Sequence, residues 1–366
     1  MMNSDQQYGV EALDRDLVSR VASREDMYDL FSQEYTKRER KPLLKSLIVL
    51  TQQDPYRLSE TVERNKLLSK RYVVTVQEKE HDFYRLHVER KNPVGPAVSV
   101  EALIDVKPNL WVIFTTVSLY DAKILVSLFA RLYPDFNFAY LNHAQMLHLV
   151  EEIKKWCGSG RVVTSFAIKA ETETDRALSI NRKTLKGLSA EDELVAEAKR
   201  GRIWVEKLRF QVKNKLNMLV LDTVLTNRGI ARLVYGNFVD FYDRFMTFVI
   251  QISAELDGKF SAVRRTIVEG EAQTKPCSII YTSSFKVTHL KSLASKLNSD
   301  YMLSIFHMGN PFFSADLTDC YDGSSFTLTI FQNIITISPM IRTTNTALWK
   351  LVGKLQSILG EGDIVI

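Results

Sequence analysis

The sequence predicts a mixed α/β (α+β) fold in two lobes built from a degenerate internal repeat, and three observations predict it. Short runs alternate apolar and polar residues between Gly, Pro, Asn and Asp, as half-buried strands do. Longer runs place Leu and Phe three and four residues apart, as amphipathic helices do. The third observation is that one strand–helix–strand pattern occurs twice. Val112–Thr116, a Leu-rich helical stretch and Asp135–Leu141 match Ile279–Ser283, a similar stretch and Asp300–Phe306. The alignment pairs Thr115 with Thr282, Leu125 with Leu290, Leu128 with Leu293 and Asp135 with Asp300.

In chain order, Leu13, Leu17, Val18 and Val21 form one apolar stripe, and Ser23 caps a helix carrying Met27, Leu30 and Phe31. These make an N-terminal helical segment, 1–42. A basic run from Lys37 to Lys45 leads into a strand at 47–50. Residues 71–77 and 83–88 alternate across a polar turn and predict an antiparallel hairpin; Asn92–Pro96 is a turn, and strands follow near 98–106 and 110–116. Ser118 caps a helix with Leu125, Leu128, Phe129 and Leu132 on one face, which Pro134 ends. A strand at 136–141, a helix from His143 to Trp156, strands flanking Asp175 and a helix from Ser189 complete the first lobe, 43–200. The second lobe, 201–366, has an aromatic helix at 237–257, the repeated unit, a hairpin turning at Asp322-Gly323 and a C-terminal helix with Leu348, Leu351, Val352, Leu355 and Leu359 on one face.

Composition bounds the function. A chain of 366 residues with 45% hydrophobic and 25% charged residues is ordinary globular material for about two domains. No 18-residue apolar run is present, so no transmembrane helix is expected, and the polar start lacks a secretory apolar core. Three scattered cysteines, Cys157, Cys277 and Cys320, fit reduced thiols and a cytoplasmic location. A net charge of +5 permits a nucleic-acid partner.

The strongest candidate for function is the basic segment 199–215. Read as a strand, it puts Trp204, Leu208, Phe210 and Val212 on one face and Lys207, Arg209, Gln211 and Lys213 on the other. Same-face residues recur every ~6.6 Å, close to a nucleic-acid phosphate repeat. Arg202 and Lys215 flank this row, and Arg182, Lys183 and Lys186 extend it. A half-buried strand with a basic wet face would carry the same residues. Phe238, Phe241, Tyr242, Phe245 and Phe248 share a helical face and read as core rather than as a platform for bases.

Catalytic signals are thin. No His-x3-His pair or Cys-x-x-Cys motif supports a metal site, and no cofactor is expected. Asp105-Val-Lys107 ends an apolar strand with both charges on one side, and Asp82 lies upstream. These three positions resemble the acid and acid-x-lysine set of restriction-type PD-(D/E)xK nucleases, which implies Mg²⁺ held by the acids and a lysine beside the phosphate. The family's proline before the first acid is replaced by His81, and Pro108 follows Lys107 directly. Thr115–Ser118 and Thr282–Ser284 join strands to helix N-termini, where an anion could sit, although N-capping uses the same residues. The leading expectation is a non-enzymatic nucleic-acid-binding protein, an accessory subunit of a larger, defence-type assembly. The alternatives are the nuclease, and a nucleotide-sensing or scaffold protein that forms homo-oligomers or joins a partner subunit.

Overall fold

The computed structural model describes residues 17–35, 43–92, 96–129, 131–132, 136–139, 141, 143–157, 161–170, 183–186, 203–260, 266–268, 271–273, 275–309, 312–320, 323–340, 343, 345–360 and 362–365. The chain divides into two compact units. The first takes Met1–Leu141, His148–Phe166 and Lys207–Ala254, and the second takes Asn142–Leu147, Ala167–Glu206 and Glu255–Ile366. The fold is a mixed α+β one, and every strand pairing with a described register is antiparallel.

The first unit opens with α1 (Arg24–Tyr35) and β1 (Leu44–Leu50), a strand buried at all seven positions. Asp54 caps α2 (Pro55–Arg64) by accepting from the Tyr56 amide, with Pro55 in the first turn. Asn65 caps the single-turn α3 (Lys66–Ser69). Four strands follow as a meander, β2 (Tyr72–Glu80), β3 (Phe83–Arg90), β4 (Val98–Lys107) and β5 (Leu110–Thr115), and then α4 (Leu119–Phe129) and the two-residue β6 (Asn137–Phe138). Beyond α5 (His143–Cys157), β7 (Arg161–Ala170) and β8 (Lys183–Lys186) come β9 (Ile203–Lys213), β10 (Leu219–Thr226) and β11 (Ile230–Gly236). A π-helix (Asp240–Met246) then runs directly into α6 (Thr247–Phe260).

The strands adjoin in the order β2-β3-β4-β5-β1-β11-β10-β9, with β6 also on β1. One sheet face puts Leu47, Val49, Leu86, Ala102, Ile104, Trp111 and Ile113 against Leu58 and Val62 of α2 and Leu125, Leu128 and Phe129 of α4. The other face packs Phe114 against Phe238 and Tyr242, and Phe210 against Phe245; Phe31 of α1 meets Phe238 at 5.2 Å. The helical segment expected as a separate 1–42 therefore contributes α1 to this core, where Met27 and Phe31 are fully buried. The expected boundary between 200 and 201 is displaced for a similar reason. Lys45↔Arg232 pairing stitches β11, and with it β10 and most of β9, onto β1.

Gly236 ends β11 at φ +128°, and a Cβ there would lie 2.5 Å from the Val220 carbonyl oxygen. Gly236→Ala is expected to cost at least the ~1–3 kcal/mol of a strained backbone, with the clash added. Urea denaturation reads this directly. Gly323, at φ +77° with nothing within 4 Å of its Cβ position, is the milder control.

In the second unit β12 (Thr266–Val268) pairs with β13 (Glu271–Gln273). Then come β14 (Cys277–Ile280), α7 (Val287–Leu297), β15 (Tyr301–Met308), β16 (Phe312–Asp319), β17 (Ser325–Phe331), β18 (Ile334–Pro339), α8 (Asn345–Leu359) and β19 (Asp363–Val365). The sheet order is β15-β16-β17-β18-β14-β19. One face is buried through Phe313, Ala315, Leu317, Leu328, Ile330 and Ile337. The opposite face carries Ser314, Thr329, Thr336 and Ser278 as one half-exposed hydroxyl row.

The expected repeat of 112–141 in 279–306 does not hold. β5 and β6 flank β1 on its two sides, because Val49 and Leu50 pair with both. β14 and β15 are instead separated by β16, β17 and β18. Strand–helix–strand segments look alike because burial imposes the same periodicities on all of them. A different correspondence is present. Set β1 against β14, and both units read strand, helix, four-strand meander, helix, short strand, in the same order across the sheet. The registers agree as well. Leu50 pairs with Leu110 and Asn137; Ile280 pairs with Ile334 and Asp363. The Thr51 amide donates to the Asn109 carbonyl, and the Tyr281 amide to that of Asn333.

Candidate nucleic-acid interface

β9 lies antiparallel to β10, and β10 to β11, so residues far apart in sequence line up across the sheet. Arg209 pairs with Val224, Val224 with Arg232, and Arg232 with Lys45. Strand alternation adds Lys207, Gln211 and Lys213 to the same face. This is the face that α2 and α4 cover over β1 to β5. The other side of β9 is core, with Leu208 and Phe210 fully buried.

The cations differ in state. Arg209 Nε donates to Asp222 Oδ1 at 2.8 Å and its Nη2 to Oδ2 at 2.6 Å, a bidentate pair, and Gln211 Nε2 also donates to Oδ2 at 3.0 Å. Asp222 thereby holds the Arg209 guanidinium more firmly protonated than usual. The Lys207 and Arg232 side chains have no hydrogen-bond or ion-pair partner among the described residues. Burial lowers the Lys207 pKa first, and the charges of Arg232 and Arg209 lower it further. Burial and then Arg209 act the same way on Arg232. Arg209, Lys207 and Arg232 thus stand together with one carboxylate, Asp222, and the last two are half-buried without a counter-charge among the described residues. Lys45 is spoken for: its ammonium donates to the Leu43 and Val117 carbonyls.

The β9–β10 turn adds a further feature. Asn214 Oδ1 accepts from the Leu216 and Met218 amides, and Asn217 takes φ 60°. That turn leaves Leu216 76% and Met218 55% exposed beside Lys213 and Lys215.

Of the expected basic set, Lys207, Arg209, Lys213 and Lys215 fall on this hairpin. Arg182 and Arg202 lie outside the described residues, as do the side chains of Lys183 and Lys186 on β8. Arg232 lies outside the expected basic set. Its only signal is a lone cation inside the apolar strand Ile230-Ala-Arg-Leu-Val234.

Asp105 and Lys107 do come together, but in a closed network. Asp105 is fully buried. Its Oδ1 accepts from Arg24 Nε at 3.0 Å, and its Oδ2 meets Lys107 Nζ at 3.0 Å and the Tyr242 hydroxyl. Arg24 Nη2 adds a second contact to Oδ1 at 3.0 Å. A carboxylate offers about four lone-pair directions, and these donors occupy them. Burial, then the Asp105 charge, raises the Tyr242 pKa, so its proton stays on the phenol. Asp82 does not join them: it sits in the β2–β3 turn at φ 59°, and its carboxylate pairs with His81 at 3.3 Å. Among the described residues no three His, Cys, Asp or Glu side chains are grouped to hold a metal. The Asp105 cluster acts as an internal ion-pair network. Thr115 and Ser118 likewise serve their own chain: Thr115 Oγ1 donates to the Glu101 carbonyl, and Ser118 Oγ caps α4 through the Asp121 amide.

Among the described residues no helix is long and apolar enough to cross a membrane. No family model and no curated protein matches the chain.

Proposed function

We propose that this is a non-enzymatic nucleic-acid-binding protein whose β9–β11 face meets the phosphate backbone. The observation that carries the proposal is the pair Lys207 and Arg232, half-buried, unpartnered and aligned beside Arg209. Holding like charges together in partial shelter from water is unfavourable, and a bound phosphate removes that cost. Arg209 then acts as a switchable member, because a phosphate must compete with Asp222 for its fork. The exposed Leu216 and Met218 at the hairpin tip suit insertion between bases, as apolar wedges do in architectural DNA-binding proteins.

The test is titration of labelled single- and double-stranded DNA and RNA at several salt concentrations. Each phosphate contact contributes about 0.9 to the log–log salt slope on duplex DNA. Lys207→Gln with Arg232→Gln is expected to reduce the slope by about two and to weaken binding alike for every sequence. Folding stability is expected to hold or rise slightly, because a repulsion is removed. Adding Lys213→Gln is expected to lower the slope by about one more unit. Equal affinity and equal slope for wild type and variant would reject the proposal.

A further inference from the structure

The open face of the second sheet carries a row that the basic hairpin does not explain. Phe312 pairs with Phe331, Phe331 with Ile334, and Ile334 with Ile280, so four apolar side chains run side by side across four strands. All four are exposed, at 36%, 48%, 37% and 37%. Beside them runs the hydroxyl row through Thr329 and Thr336. The charged side chains described on this face are two carboxylates: Asp363, which pairs with Ile280 at the end of the apolar row, and Asp316, whose Oδ1 accepts from Thr327 Oγ1 at 2.9 Å. The topologically equivalent face of the first sheet is apolar and is covered by α1 and the π-helix. At matched positions Phe114 and Val112 stand where the second sheet has Ser338 and Thr336.

We infer that this face is a homodimer interface, in which two copies of the chain pack open sheet to open sheet about a twofold axis. Three features favour a second copy over other occupants. Among the described residues the face has no cation to meet a phosphate, and its two carboxylates lie toward opposite edges of the sheet, on β16 and β19. An uncharged centre meets its own image without like-charge repulsion, which an isologous contact requires. The area also fits. Five strands about 4.8 Å apart and about seven residues at ~3.4 Å each span on the order of 550 Å² in projection. With side-chain relief this approaches the ~800 Å² per partner of a standard-size interface. The composition, an apolar aromatic row bordered by hydroxyls, matches interface anatomy. The inference is independent of the basic hairpin.

Sedimentation velocity of the full chain without nucleic acid, over a hundredfold range of concentration, tests it. Wild type is expected to sediment at twice the chain mass at the upper concentrations. Phe331→Lys with Ile334→Lys is expected to raise the dimer dissociation constant at least thirtyfold. Both positions are exposed, so thermal unfolding of the monomer is expected to be little changed. Thr336→Arg, at the centre of the face, is a second variant expected to act in the same direction should the first fold poorly. A wild type that stays monomeric throughout overturns the inference, and so does a dimer that both variants leave intact.

Discussion

Asp105→Ala is expected to lower folding stability by about 1–3 kcal/mol, the cost of leaving the buried Tyr242 hydroxyl without its acceptor beside two part-exposed cations that lose their counter-charge. The substitution strands three donors at once: the Arg24 guanidinium, the Lys107 ammonium and the Tyr242 hydroxyl. Arg24 also holds Glu80 at 3.4 Å, so α1 is tied to the end of β2 through the same residue. Asp105→Asn keeps one acceptor and is expected to fall between alanine and wild type. Asp82→Ala, in the neighbouring turn with a half-exposed side chain, is expected to move stability by no more than about 0.5 kcal/mol. Urea denaturation with a constant m-value is the measurement. Equal small losses at both aspartates would show that the network contributes little.

Phe245→Ala is expected to cost about 3–5 kcal/mol, as large aromatic truncations in cores do. Phe245 is fully buried, lies parallel to Phe241 at 5.9 Å and meets Phe210 at 5.7 Å. The half-buried Phe248, one turn on, is expected to cost distinctly less. The pair separates a π-helix from a continuous α-helix. Spacings of three and four would bury Phe248 with the rest, whereas the wider turn buries Met246 and Val249.

That contrast marks how far the sequence could be read. The hairpin at β2–β3, the strands β4 and β5 and the helices α4 and α8 were legible, because burial on one side writes a local period into the chain. Phe238, Phe241, Tyr242 and Phe245 are core as the spacing predicts, but Phe248 is not, and nothing in residue spacing distinguishes a π-turn from an α-turn. Helix α2 writes little period into the chain: its buried positions are only Pro55, Leu58 and Val62, set among Arg, Ser, Glu and Thr. The candidate site was half legible. Lys207, Arg209 and Lys213 share one strand, so alternation groups them. Arg232 joins them only through hydrogen bonds across β10, and Asp222 neutralises Arg209 from β10 itself. Sheet neighbours of this kind carry no local period. The same limit hides the likeness of the two sheets, which lies in which strands pair with β1 and β14.

The partners of β1 also have a consequence for biosynthesis. Along Leu44–Leu47 its outer edge is closed by Ile230–Leu233, which the ribosome makes far later. At about 5–20 residues per second, that edge waits on the order of ten to forty seconds. Through this interval a strand destined for full burial offers open backbone groups to any other nascent chain. The β14 sheet has all its partners within residues 277–365 and closes as it emerges. The hazardous stretch of synthesis for this protein is therefore its first two-thirds, and the step that ends it is the arrival of β11.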